Sequence, residues 1–318
     1  MPSPIRLGLQ IPNFNFPDVD PEQLYDTLTD IAQTAERAGF QSVWVMDHLN
    51  QIPGVGPMEN WMLEGNVALM ALAARTEKLH VGLMVGGVTY RNPAYFAKMT
   101  TTIDVLSGGR AIFGIGAAWF EAEHKAFGYR FPPIAERFEH LEDALRIARA
   151  MFTENQPTVE GTHSSVHAIY NNPRPIRGDI PIMVGGSGER KTLRMVAQYA
   201  DASNMFGDAD QIRHLVGVLE GHCETFGRDI ADITKTKLAS LIIGEDAATV
   251  ERQATPVREA MGERAAGFVI AGTPDQVAEQ VQANLDAGLD GIVVNMPYVQ
   301  DLEQVELAGR TLAKVIGG

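Results

Sequence analysis

The chain has one cysteine, Cys223, among its 318 residues. No internal disulfide can form, which excludes a cystine-stapled secreted scaffold. Basic residues are few beside acidic ones: 26 Lys and Arg against 40 Asp and Glu give a formal charge of −14. Non-specific nucleic-acid binding needs clustered Lys and Arg. The sequence has no basic run, no aromatic-plus-arginine stripe and no zinc-finger spacing, so no nucleic-acid partner is expected. No apolar run approaches the roughly 20 residues of a membrane span. The opening stretch MPSPIRLGLQIPNF lacks a charged segment followed by a long apolar one, so neither a membrane partner nor a signal peptide is expected. What is present, 45% apolar and 21% charged residues, is ordinary for a globular chain with a sizeable core. These features predict a cytoplasmic enzyme or binding protein.

Strand-like apolar runs number about eight: 5–11, 42–47, 79–85, 111–116, 180–185, 201–206, 238–244 and 291–297. Amphipathic helix patterns such as EQLYDTLTDIAQTAERAG lie between most of them. Three junctions share one logic, AERAGFQSVWVMDH, AQYADASNMFG and LDAGLDGIVVNMP. In the first and last, Gly39 and Gly288 stand where a helix ends, because glycine takes up the left-handed conformation of a C-cap cheaply. Near-continuous apolar strands alternating with helices imply a parallel sheet covered on both faces. Eight such units in about 300 residues predict one α/β domain over 1–318, a (β/α)8 TIM barrel. A doubly wound dinucleotide fold would want G-x-G-x-x-G after the first strand, and LGLQIPNFNF has none. Two stretches break the alternation and predict insertions in loops at the strand C-terminal ends. Residues 155–179 are polar and turn-rich, a lid or hairpin; residues 245–290 hold two helices around GFVIAGTPD.

In such a barrel the strand C-terminal ends carry the chemistry. There the sequence offers Asp47-His48, Val85-Gly86-Gly87, Ala117-Ala118-Trp119, Gly185-Gly186-Ser187-Gly188, Asn204 and Asn295. That set of small residues, amides and few titratable groups suits a flat cofactor better than a metal cage. The glycine-rich loop 185–188 runs into a helix, so it is either a flexible turn or a phosphate cradle built from free N–H groups and a helix dipole. His48 is either a satisfied core histidine or an acid–base group tuned near neutrality. Ala117 and Ala118 are small enough for close approach of a ring, and Trp119 is a candidate wall of a substrate pocket. Glu121 and Glu123 suit the first turn of a helix, and Glu121 can pair with Lys125 at i,i+4. His163 and His167 in HSSVH have no third ligand nearby, so no metal is expected. Nothing beside Cys223 marks an activated thiol.

Four segments in this order, WVMDHLNQIPGVGP (44–57), VTYRNPAYFAKMTTTIDVLSGGRAIFGIGAAWFEAEH (88–124), YNNPRPI (170–176) and GGSGERKTLRMVAQYADASNMFG (185–207), carry a family resemblance over nearly the whole chain. The sequence resembles the bacterial-luciferase-like superfamily, specifically its coenzyme F420-dependent oxidoreductase branch. The resemblance implies a barrel, a non-covalently bound deazaflavin, a small-molecule substrate and a homodimer. It implies a cis peptide bond near Met84-Val85 against the coenzyme ring, with Gly86 and Gly87 turning the backbone away. It implies coenzyme contacts from Asp47, Met84, Val85, Gly86, Ala117, Ala118, Gly185, Gly186, Ser187, Gly188 and Asn204. His48 becomes the proton donor or substrate contact, and Asp47 orients or contacts the coenzyme. The sugar dehydrogenases of this branch carry a catalytic glutamate where this chain has Trp119. That departure weakens a sugar substrate and leaves Glu121, Glu123 and His124 as candidate acids. The expected activity is hydride transfer between the deazaflavin and a small carbonyl, imine, enone or alcohol. The alternatives are an FMN-dependent monooxygenase on the same barrel and a non-catalytic coenzyme-binding protein.

Overall fold

The structure is a computed structural model that describes residues 5–317; of the opening stretch examined for a leader, residues 1–4 lie outside it. Its strands are β1 (Leu7–Ile11), β2 (Ser42–Val45), β3 (His80–Leu83) with its two-residue continuation β4 (Gly86–Gly87), β5 (Ala111–Gly116), β6 (Ile182–Gly185), β7 (Ala202–Met205), β8 (Thr234–Ile243), β9 (Val269–Gly272) and β10 (Gly291–Asn295). All pairings among them are parallel. β10 pairs with both β1 and β8, which closes β1-β2-β3-β5-β6-β7-β8-β10 into an eight-stranded barrel. β9 lies outside this ring, on the last four residues of β8.

Helices α1 (Leu24–Ala38), α2 (Gly65–Arg75), α3 (Pro93–Ser107), α4 (Glu121–Phe127), α5 (Ile134–Thr153), α6 (Thr192–Tyr199), α7 (Ala209–Phe226), α8 (Ala247–Met261), α9 (Ala265–Phe268), α10 (Pro274–Asp286) and α11 (Leu302–Ile316) follow the strands. α1 buries Leu24, Leu28, Ile31, Ala32 and Ala35 at helical spacing and ends at Gly39 with φ 101°. Asn92 caps α3 by accepting from the N–H groups of Ala94 and Tyr95, with Pro93 at the first turn where its missing N–H costs nothing. Residues 155–179 contain no named helix or strand, only an antiparallel bridge between Val159 and Val166. Residues 245–290 hold α8, α9, β9 and α10, the last leading into the closing strand.

The seventh barrel strand differs from its sequence expectation. β8 begins at Thr234, four residues before the apolar run, through the polar stretch TKTK. Both lysines there are buried and paired. Lys235 Nζ lies 2.7 Å from Asp290, and Lys237 Nζ donates to the carbonyls of Gly207 and Gly267. Burial pulls the Lys237 ammonium down to about 8.

The barrel interior is packed from Ile5, Trp44, Met84, Ile112, Met183, Ala202, Leu238 and Val293. Trp44 fills space that two glycines leave: a Cβ on Gly8 would stand 2.5 Å from its Nε1, and one on Gly82 2.6 Å from its Cζ3. Its indole N–H donates to Ser42 Oγ at 2.9 Å, so no polar atom is stranded. One position is tighter still. A Cβ on Gly114 would lie 1.9 Å from the Leu83 carbonyl oxygen, a backbone atom that cannot swing aside. Gly114→Ala should therefore destabilise the protein by about 3 kcal/mol or more. Gly217→Ala, in α7 with nothing within 4 Å of the new methyl, should stabilise it by about 0.5–1 kcal/mol. Denaturant unfolding of the two variants checks the pair, and a tolerated Gly114→Ala would contradict the close approach of β3 and β5.

Candidate active site

The strand C-terminal ends open into a mouth. Strand residues below it are buried, whereas Val85, Ala117, Ala118, Gly185, Gly186 and Ser187 are half-buried and line it. The Met84-Val85 peptide bond is cis. Val85 points over the ends of β5 and β6, where a Cβ on Gly116 would come within 2.9 Å of it and one on Gly185 within 2.8 Å. Only glycine fits beneath that side chain. Gly86 and Gly87 have a related but different cause from the one expected. Neither has a positive φ. A Cβ on Gly86 would meet the Phe96 ring at 2.6 Å, and one on Gly87 the Tyr90 ring at 2.6 Å. The two glycines admit the protein's own rings, so backbone turning does not account for them.

Glu123 organises the rim. It is 0% exposed. Its carboxylate accepts four hydrogen bonds: from His48 Nδ1 at 3.0 Å, from the Asn50 N–H at 2.8 Å, and from the Leu49 N–H and Tyr90 hydroxyl at shorter range. Burial alone would raise its pKa; the bonds from His48, Tyr90 and Asn50 outweigh that and hold it below the ordinary glutamate range. Because His48 Nδ1–H is committed to Glu123, Nε2 faces outward with no protein partner among the described residues. The ring is 14% exposed and stands edge-on to Trp119 and Phe120, at centroid distances of 5.6 and 5.9 Å. Trp119 itself is 58% exposed and stacks on Phe120.

The other candidate acids fall elsewhere. His124 is fully buried; its Nδ1–H donates to the Phe120 carbonyl at 2.8 Å, which leaves Nε2 to accept from Thr89 Oγ1 at 2.6 Å. Both its nitrogens are used. Glu121 points to solvent and pairs with Lys125 at 2.9 Å, the expected i,i+4 bridge. Asp47 is buried, with Arg91 bidentate on its two oxygens (2.6 and 2.7 Å) and the Gly87 N–H at 2.8 Å. Burial pushes this carboxyl up while Arg91 opposes it. With Arg91 and the Gly87 N–H on its oxygens, Asp47 fastens the chain next to the cis bond, a role separate from the coenzyme contact expected of it. Arg91 also reaches Glu64, the cap of α2.

On the far side of the mouth, Gly186 has φ 124° and donates its N–H to the Asn204 carbonyl at 2.9 Å, so the loop 185–188 is fastened to β7. Ser187 Oγ accepts from the Phe206 N–H at 2.8 Å. α6 starts at Thr192 and has no side-chain cap; the Leu193 N–H donates to the Gly188 carbonyl at 3.0 Å, which leaves the other first-turn N–H groups to meet an anion. Of the cations there, Lys191 lies over the Phe138 ring and Arg194 over the Phe226 ring. Asn204 is itself buried, with its amide nitrogen on Thr236 Oγ1 at 3.0 Å. Gly188, Met84 and Gly86 belong to the same rim, the last two buried.

Residues 5–264 match the family model described as luciferase-like monooxygenase. The chain belongs to that family. It is 30% identical to an F420-dependent glucose-6-phosphate dehydrogenase of Kineococcus radiotolerans, over 85% of this chain and 87% of that protein. It is 25% identical to an FMNH(2)-dependent dimethylsulfone monooxygenase of Pseudomonas putida, over 99% of this chain and 96% of the other. Among solved structures, the coenzyme F420 dependent tetrahydromethanopterin reductase from Methanopyrus kandleri shares the fold with a TM-score of 0.79, at 20% identity, covering 97% of this chain and 98% of that one.

Sequence reasoning missed Tyr90, Arg91 and Arg137. Arg137, on α5, donates to the carbonyls of Ala117 and Ala118 and so holds the loop that carries Trp119. The signal for Arg91 was a lone basic residue in an otherwise uncharged loop, with no hint that its partner lay on another strand. A cleft of about 690 Å³ beside Arg6, Leu285, Asp290 and Ile316 lies at the opposite end of the barrel and contains none of these groups.

Glu123 yields a test. Glu123→Gln replaces an acceptor oxygen by an amide that faces donors, and should cost about 2–4 kcal/mol of stability. A carboxylate whose folded pKa is depressed contributes fully above its unfolded value of 4.5, and its contribution disappears as pH falls through the lower folded value. The wild type should therefore lose stability below about pH 4.5 more steeply than Glu123→Gln. Parallel acid-unfolding curves would contradict an ionised Glu123.

Proposed function

We propose that this protein is a coenzyme F420-dependent oxidoreductase acting on a small organic substrate, a carbonyl, imine, enone or alcohol, with His48 moving the proton. The carrying observation is the outward-facing Nε2 of His48, whose other nitrogen is held by a buried carboxylate at 3.0 Å. The F420-dependent relative named above supports the coenzyme. The fit of a flat ring rests on the mouth itself: small residues at Ala117, Ala118 and Gly185–Gly188, and glycines at the two positions under Val85 where any side chain would collide. In this reading Val85, Ala117 and Ala118 hold the ring. Gly185, Gly186, Ser187 and Gly188, with the uncapped start of α6, take the phosphate tail, and Asn204 supports them. When bound, the coenzyme supplies or accepts the hydride; binding, orientation and one proton fall to the protein.

His48 is arranged for that proton. Glu123 fixes the tautomer with the hydrogen on Nδ1, so Nε2 is a base in the neutral ring and a donor once protonated. Glu123 holds the imidazole in place, the same positioning service a buried carboxylate gives in a catalytic triad. Trp119 and Phe120 border the imidazole with apolar surface. Such a wall suits a small apolar or planar substrate better than a sugar phosphate. The homodimer and the cytoplasmic location implied by the resemblance belong to the same proposal, and sedimentation would test the former. The monooxygenase relative supports a second reading, FMN in the same mouth.

Absorbance titration separates the two: F420 should bind with Kd of about 1 μM or tighter, and FMN more weakly. Stronger FMN binding with flavin-dependent turnover would install the second reading. His48→Asn keeps a donor toward Glu123 but lacks the titrating nitrogen. It should lower kcat at least about tenfold, toward the 10²–10⁴ range of a lost general acid, with coenzyme affinity within a few-fold and Tm held. Glu121→Gln should leave kcat unchanged. Full turnover in His48→Asn together with loss in Glu121→Gln would transfer the role to Glu121.

A further inference from the structure

Away from the mouth, α5 presents Glu136, Glu139, His140 and Asp143 at i, i+3, i+4 and i+7, one face of the helix. The 155–179 insertion lies against this face. Asp143, 2% exposed, clamps it by accepting from three successive N–H groups: Thr162 at 3.0 Å, His163 at 2.7 Å and Ser164 at 3.0 Å. The loop approaches so closely that a Cβ on Gly161 would stand 2.5 Å from the Asp143 carboxyl carbon. The clamp delivers the His163 imidazole onto that of His140, ring centroids 4.2 Å apart and 29° between planes. His163 Nε2 lies 2.8 Å from Glu139, and His140 Nε2 3.6 Å from Glu136. Donor atoms of Glu136, His140 and His163 all fall within 4.8 Å of one another.

We propose that α5 and the insertion loop form a binding site for one divalent ion of the zinc type, held by His140, His163 and Glu136, with Glu139 beside His163. Two imidazoles with carboxylates are the donors that suit zinc and its neighbours, whereas magnesium and calcium take oxygen ligands. Around a tetrahedral zinc, ligand atoms stand about 3.3 Å apart given bonds near 2.0–2.1 Å. The observed 2.8–3.6 Å between carboxylate and imidazole atoms is already of that order. Of the cluster's three carboxylates (Glu136, Glu139 and the clamping Asp143), Glu136 accepts from Arg130, the one Arg or Lys bonded to the cluster among the described residues. Arg130 is thus the competitor that an ion must displace. The sequence showed only His163 and His167. The fold supplies the missing ligands from α5, and His167 turns away to Glu160 at 3.4 Å. An ion here would fasten the insertion to the helix whose next residue, Arg137, holds the Ala117-Ala118 loop.

Isothermal titration of the chelator-washed full-length protein with zinc chloride tests the site, with magnesium chloride as the second arm. One zinc per chain is expected, with a raised Tm and no response to magnesium. His140→Asn and His163→Asn should each weaken zinc binding by about a hundredfold or more, since even second-shell losses cost 10–100-fold. Both side chains are about three-quarters buried at the surface (26% and 25% exposed), and circular dichroism reports whether the variants fold. Arg130→Gln should tighten binding. Absence of zinc binding overturns the proposal. Zinc that binds the His140→Asn/His163→Asn double variant as tightly as the parent also overturns it, since the ion then sits elsewhere.

Discussion

A carboxylate with no exposure to water sits at the junction of three segments, and the rim of the barrel is arranged around satisfying it. Ionised Glu123 offers about four acceptor positions, and the loop after β2 fills three of them with His48, Leu49 N–H and Asn50 N–H. The fourth comes from Tyr90, beyond β4. An unmet acceptor in this position would cost several kcal/mol, so the three segments cannot move independently. The orientation of His48, the seat of the Tyr90 ring on Gly87 and the inward turn of α4 are consequences of one electrostatic requirement. Arg91 and Asp47 repeat the device a few ångströms along, tying the same loop back to the end of β2.

Sterics inside the barrel set the floor beneath that rim. Trp44 occupies the room left by Gly8 and Gly82, and β3 approaches β5 so closely that Gly114 has no space for a methyl group. With the lower layer filled and rigid, Val85 is carried over Gly116 and Gly185, and the first accessible surface above it is backbone and small side chains. On the proposed function, such a surface leaves directional chemistry to His48 on one side and the start of α6 on the other.

The strand runs were legible because parallel strands covered on both faces are apolar throughout, and the run at 111–116 coincides with β5. The beginning of β8 was not, because Lys235 and Lys237 read as surface residues until Asp290 and the carbonyls of Gly207 and Gly267 are brought to them. Gly39 and Gly288 announced helix ends through backbone chemistry that acts within a few residues. The rim positions were legible for a topological reason: in a barrel the residue after each strand reaches the mouth. What each rim residue does was not. Glu121 and Glu123 lie two apart in one helical turn and therefore on opposed faces, but periodicity over the seven residues of α4 does not say which face is inward. Likewise Asp143 and the pair His140–His163 depend on a loop folding back across α5, a contact without a local sequence signal.

An adjacent carboxylate and imidazole show how burial sorts chemistry within one short helix. Residues 123 and 124 are consecutive and both are 0% exposed. Glu123 spends every acceptor position on structure, yet through its bond to His48 it defines the proton position of a group that is partly exposed. His124 spends both nitrogens, one on a carbonyl and one on a hydroxyl, and defines nothing beyond its own seat among Tyr90, Tyr129 and Phe131. A titratable residue influences a reaction only while one of its atoms, or one atom of its partner, can still reach the reactant. On the proposed function, that criterion leaves His48 Nε2 as the atom for the proton, with Glu123 behind it as a positioning residue and His124 as part of the wall.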